Sequence, residues 1–352
     1  MNTHQEYPHP ADANLNHRFG NTTAHHALDS LPTITLAGQI SFVLFPCMVL
    51  VGVVCNSLIF VIMRRRRMSH LSTCYYMGIL AIADTSVLLL GLSVMWLYSL
   101  NERWSLLLQS TYVCKFLSFL FYTVSDVSVW LVCMMSVDRC IAVTRPLHTS
   151  SICTVRRARI GVAILILSVL LINVQFLFTH HLSLDNDCTS HERYEFFARH
   201  VWPWIDAAVY SVLPFILLLT MNLIIVRALF RARRSTSNLR SHQSPAACHK
   251  TKLTVSMSRK LTTMLLAVTF FFLLSSFPMV CLQIYTNIDR HNRYNQVFTQ
   301  LYLKPLCETL QYSNHCVRCH LTDVSSEIRM FVDISRSTSF STRSRARRFV
   351  MN

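Results

Sequence analysis

The sequence predicts an all-α membrane protein, a seven-transmembrane helix bundle with a truncated seventh helix. Three observations carry this reading. The chain has 352 residues, 52% of them hydrophobic and only 14% charged, against roughly 25% charged in a soluble domain. The apolar residues gather into seven long runs, and ~20 such residues suffice for one helix to cross a bilayer. The basic residues lie between those runs and fall mostly on one side of them, the pattern of cytoplasmic loops. With 6 glycines in all and no Gly-rich phosphate loop, the common nucleotide-using enzymes are excluded, and no nucleophile–base constellation points to an enzyme of another kind.

Residues 1–35 are polar and His-rich, with no apolar core for a cleaved signal. Their five histidines have no ligand spacing and are best taken as part of a flexible polar tail. Asn21-Thr22-Thr23 is an N-glycosylation acceptor, of use only if this tail is extracellular. The first run, Leu36–Met63, is free of charge over 28 residues and acts as both first span and membrane address. Leu71–Asn101 is apolar apart from Asp84. Thr111–Val143 carries Lys115, Asp126, Asp138 and Arg139. Ile160–Leu184 has no Asp, Glu, Lys or Arg; Trp202–Val226 has only Asp206; Leu261–Ile288 has no charge. Tyr294–Val317, with Lys304 and Glu308, is the weakest of the seven. The membrane-spanning domain is thus 36–317 and the tail 318–352.

Placing residues 1–35 outside puts 25 of the 33 Lys and Arg on the inner side, which fixes the orientation as N-terminus outside and C-terminus inside. Topology therefore accounts for the net charge of +16, and no nucleic-acid partner is needed. No internal repeat suggests a transporter.

Several motifs then fall in order. Asn56 lies in the first span and Leu80-Ala81-Ile82-Ala83-Asp84 in the second. Cys114 opens the third, with Asp138-Arg139-Cys140 at its far end, 25 residues from Cys114 to Arg139. Pro214 and Pro278 sit in the fifth and sixth. In these features the chain resembles the rhodopsin-like (class A) G-protein-coupled receptors over roughly residues 36–317, and in Leu310-Gln311-Tyr312-Ser313-Asn314-His315 the invertebrate neuropeptide receptors of the FMRFamide/myosuppressin-like kind.

That resemblance implies a disulfide between Cys114 and Cys188, in keeping with their placement on the oxidising side. It implies that Arg139 pairs with Asp138 at rest and engages a heterotrimeric G protein when span six moves, with Pro146 and Leu147 plugging into the same partner. It implies a sodium ion at Asp84 with Ser128 and Asn314; read from the residues alone, Asp84 is equally a protonated, hydrogen-bonded structural carboxyl, since a lone charge there costs about 2.5–3.5 kcal/mol. No Asp or Glu occurs between His249 and Ile288, so a second ionic restraint on span six is absent and ligand-free signalling is expected.

Aligned on the two prolines and Arg139, the residues facing the cavity are Phe121, Tyr122, Ser125, Asp206, Tyr210, Gln283, Glu308 and Tyr312. Phe121 stands where amine receptors carry an Asp, which argues against a monoamine. In span seven Lys304, Glu308, Gln311, Tyr312 and His315 share one helical face. Two carboxylates among aromatic rings suit a cationic, partly apolar ligand, and an Arg side chain of a short amidated peptide fits. Alternatively, Asp206 and Glu308 pair with Lys115, Lys304 or Arg199 and close the mouth.

The chain departs from the family in Leu165, Asn222 and Ser276, where Trp, Tyr and Trp are usual. Its seventh span lacks the Asn-Pro-x-x-Tyr element and reads Val317-Arg318-Cys319-His320 instead. Val324, Ile328, Phe331 and Val332 then form an amphipathic pattern suited to the inner membrane surface. The span therefore reads as ending early, with a stretch of about two helical turns at most missing; the alternative is that Val317–Thr322 still spans, with Arg318 snorkelling to the interface. Either the chain is a working plasma-membrane receptor, or it is a truncated isoform that pairs with or titrates a full-length one.

Overall fold

The computed structural model describes residues 32–64, 71–100, 110–145, 148–183, 188–238, 248–288, 299 and 303–321. Asn21, Pro146, Leu147 and the amphipathic pattern 324–332 lie outside them. Among the described residues the chain forms seven helical rods. The first, α1, is Pro32–Met63. The second, α2, runs as Ser72–Val87, a π turn Leu88–Leu92 and Ser93–Leu100. The third, α3, is Thr111–Thr144, and α4 is Val155–Asn173. The fifth, α5, runs as Phe197–Val201, Trp202–Asp206, Ala207–Val212 and Leu213–Asn238. Then come α6, Cys248–Ile288, and α7, Lys304–Leu321. Six of these are long and apolar enough to cross a membrane on their own composition. The seventh is polar, yet it closes the ring by packing between α6 and α1. Helix α3 runs through the middle, against α2, α4, α5 and α6.

The outer faces show why these residues make a membrane bundle. On α1 the exposed residues include Leu50, Val54, Leu58 and Val61; on α4 they include Ile160, Ile164, Leu167 and Leu171. Each set recurs at helical spacing, so each helix turns an apolar stripe outward. Facing water that stripe would be costly; facing lipid it costs nothing. The core holds Leu131, Val132 and Met135 of α3 against Leu80 and Ala81 of α2, Val162 and Val169 of α4, Leu218 of α5 and Phe272 of α6.

Helix ends differ from the expected ones for local reasons. Helix α4 begins at Val155 rather than Ile160, because Thr154 caps it with its Oγ accepting from Arg157 N. The three arginines of its first turns are exposed or nearly so and can reach the membrane edge along their stems. At the other end α4 does not run to Leu184. It stops at Asn173, and after one more turn His180–Leu182 becomes strand β1, paired antiparallel with β2, Cys188–Ser190. The Cys114–Cys188 disulfide ties this hairpin to the top of α3. In α5 the π turn Ala207–Val212 comes directly before Pro214. The proline has no N–H and crowds the carbonyl one turn back, and a widened turn takes up that mismatch. Helices α5 and α6 extend well past their apolar runs, because a helix leaving the bilayer keeps its internal hydrogen bonds. Helix α7 likewise does not end at Val317 but continues to Leu321, and its 18 residues give a length of about 27 Å.

Gly52 of α1 marks a tight helix contact. A Cβ there would collide with Leu88 of α2 and lie 3.3 Å from Cys316 Sγ of α7. Glycine is what lets three helices meet at this level. Replacing it by valine forces them apart, and Gly52→Val is expected to lower stability by about 1–3 kcal/mol, seen as a lower melting temperature of the purified protein in detergent.

Candidate ligand cavity

All eight residues expected to face the cavity line one hollow of about 350 Å³ in the Cys114 half of the bundle. Phe121, Tyr122 and Ser125 come from α3, Asp206 and Tyr210 from α5, Gln283 from α6, Glu308 and Tyr312 from α7. Lys304, Gln311 and His315 join them from the same face of α7. Sequence reasoning missed Val87 and Met95 of α2 and Met279 of α6. Apolar residues inside an apolar run carry no signal that separates cavity wall from core.

An aromatic wall shapes one side. Tyr122 stacks on Phe176 with ring centres 4.2 Å apart, and Trp202 meets Phe176 edge-on at 5.0 Å. Phe121 stands edge-on to Tyr122 at 5.7 Å. Two of the cavity rings depend on Gly91, in the π turn of α2. A Cβ on Gly91 would lie 2.5 Å from both the Phe121 ring and the Tyr312 hydroxyl, so any larger residue would displace two cavity rings.

Charge is set against this wall. Gln283 Nε2 donates to Asp206 Oδ2 at 2.9 Å, and Ser211 Oγ donates to Gln283 Oε1 at 3.4 Å. Arg199 pairs with Glu195 at 2.8 Å instead of with Asp206. Among the described residues, neither Asp206 nor Glu308 has a basic side chain within salt-bridge distance. Lys304 stands one turn along α7 from Glu308. Beside the cavity a further carboxylate, Asp126 of α3, accepts from Asn173 Nδ2 of α4 at 2.8 Å. Its partner is 47 residues away, and no local spacing could have announced the pair.

Below the cavity lies Asp84, fully buried on α2. Ser128 Oγ donates to its Oδ1 at 2.5 Å, and His315 Nδ1 lies 2.7 Å from the same oxygen. Asn314, the third member of the implied sodium set, is not there. Its Oδ1 accepts from Ser275 Oγ at 2.6 Å and its Nδ2 donates to Ser276 Oγ at 3.4 Å, both on α6. Consecutive helical residues point about 100° apart, so with Asn314 turned to α6 it is His315 that meets α2. Of the implied sodium set, Asp84 and Ser128 are thus brought together and Asn314 is not. Among the described residues no cluster of three or more His, Cys, Asp or Glu side chains is arranged to hold a metal.

At the far end of α3, Arg139 Nη2 donates to Asp138 Oδ2 at 2.7 Å, and both side chains are buried. Ser72 and Thr73 of α2 donate to the two oxygens of Asp138 at 2.8 and 2.9 Å.

A seven-helix membrane receptor is the class that this bundle, its disulfide-held hairpin and its cavity define. Residues 55–318 match the 7 transmembrane receptor (rhodopsin family) profile, three quarters of the chain, and the protein belongs to that family. It is 28% identical over 149 residues to the FMRFamide peptide receptor frpr-18 of Caenorhabditis elegans, covering 42% of this chain and 34% of that one. It is 27% identical over 186 residues to a purinoceptor of Rattus norvegicus, covering 52% and 48%. The chain thus spans a third to a half of the length of these relatives.

The β1–β2 hairpin, whose His180 packs on Phe176, has its own pH response. Burial against Phe176, with His181 beside it, pushes the His180 imidazole down from an ordinary 6.5 to about 4. The unfolded chain takes up this proton between those values and the folded chain does not. Stability is therefore full above pH 6.5 and is lost as the pH falls toward about 4. The melting temperature should drop between neutral pH and about pH 5, and His180→Phe, which keeps a ring on Phe176, should shrink that drop.

Proposed function

We propose that this protein is a plasma-membrane receptor, N-terminus outside, that binds a short cationic peptide and passes the signal to a heterotrimeric G protein. The observation that carries the ligand class is the pair of carboxylates, Asp206 and Glu308, on α5 and α7 of an aromatic-lined cavity. Carboxylates in such a place call for positive charge. A guanidinium supplies it with planar, two-pronged hydrogen bonding and can stack on Tyr122 or Phe121. The volume lies at the low end for small-ligand pockets, enough for a side chain or two, with the rest of the peptide toward the hairpin. A phosphate-bearing ligand fits poorly, because it would bring more negative charge to two carboxylates and one lysine. The peptide receptor among the relatives supports this reading. On the inner side, Arg139 held by Asp138 is the element that the family resemblance gives to the G protein. Arg227 and Arg231 of α5 line a hollow with Val143 and Thr144, one turn beyond it.

The absent Asn-Pro-x-x-Tyr element favours a second reading, a receptor form that does not signal by itself. Calcium responses to an amidated-peptide library, in cells co-expressing a promiscuous G protein, separate the two. A response from this chain supports a working receptor. A response only after the seventh-span element is restored supports the silent form. Silence from both, with surface expression confirmed, removes the peptide reading.

If an Arg-bearing peptide activates the receptor, Asp206→Asn and Glu308→Gln should each raise its half-maximal concentration about 10- to 100-fold, because a charged hydrogen bond is worth about 1.5–3 kcal/mol. Lys304→Gln should raise it far less. Without ligand, cells expressing the receptor should signal above an empty-vector control, since α6 carries no acidic partner for Arg139.

A further inference from the structure

We infer that His315 takes the place of a cation at Asp84, and that this centre binds no sodium. Three contacts support the assignment. The Asp84 Oδ1 atom meets Ser128 Oγ at 2.5 Å and His315 Nδ1 at 2.7 Å. An N···O distance that short needs one proton on the axis between the two atoms, whichever of them carries it. A metal ion at this oxygen would bind through the lone pairs that these two hydrogen bonds already use. Asn314 is turned away and offers its carbonyl oxygen to Ser275 of α6. The imidazole is therefore, with Ser128, a direct partner of the carboxyl through Oδ1, as intramembrane charges commonly pair with one another.

His315 is held where it is. It is 2% exposed, its backbone carbonyl accepts from Asn56 Nδ2 of α1 at 3.0 Å, and its ring lies 6.5 Å from that of Tyr312. Vacating the site would require a buried ring to give up a bonded carboxyl. The same imidazole forms part of the floor of the ligand cavity. One side chain thus touches both the cavity and Asp84 directly. The inference is independent of what the ligand is.

The test is the melting temperature of the purified receptor in sodium chloride against choline chloride at equal ionic strength, without ligand. The wild type is expected to melt at the same temperature in both. His315→Ser, which removes the ring and supplies a hydroxyl oxygen, should gain a saturable, sodium-specific rise of at least about 2 °C. His315→Asn serves as the second variant, and adding Asp84→Asn to either should abolish the gain. A sodium-specific rise in the wild type overturns the inference. So does the absence of any gain in both variants when they fold. If neither folds, the wild-type comparison decides alone.

Discussion

Inside a bilayer, apolar side chains gain nothing by choosing another helix over lipid, so close packing and polar pairing set how helices sit. This chain puts its intramembrane carboxylates to that use. Asp84 of α2 reaches α3 and α7, Asp126 of α3 reaches α4, Asp138 of α3 reaches α2, and Asp206 of α5 reaches α6. Neutral bonds complete the ring. Asn56 joins α1 to α7, Trp130 Nε1 donates to the Val209 carbonyl of α5, and Thr269 of α6 donates to Asn222 of α5. Asn222, an apparent departure in the sequence, thus has a definite structural task.

The cavity follows from that arrangement. Its walls come from helices that the polar bonds orient, and its floor is the residue that one of those bonds holds. The π turns in α2 and α5 lie at its level. Both are places where an ideal helix would aim side chains elsewhere, and both make room: Gly91 for two rings, and the turn before Pro214 for Tyr210.

Much of this was legible in the sequence. Long charge-free runs name the helices, and the cavity set follows from Pro214, Pro278 and Arg139, because a rigid helix carries a register far along its length. Legibility fails where the register has no anchor. In α7 the family's terminal element is missing, so nothing in the sequence decides between Asn314 and His315 as the neighbour of Asp84, and a shift of one residue changes the helix it faces. It fails also at span ends, where polar residues continue a helix without any apolar pattern, and at the Asp126–Asn173 pair, which only the folded bundle brings together.

The Asp138 cluster carries a mechanical consequence. Arg139 and Asp138 are neighbours on one helix, so their bond can open by side-chain rotation alone. The bonds from Ser72 and Thr73 to Asp138 do not depend on Arg139 and survive that opening. Helices α2 and α3 are thereby locked as a stator. Opening the Arg139 bond therefore frees the arginine without loosening α2 from α3.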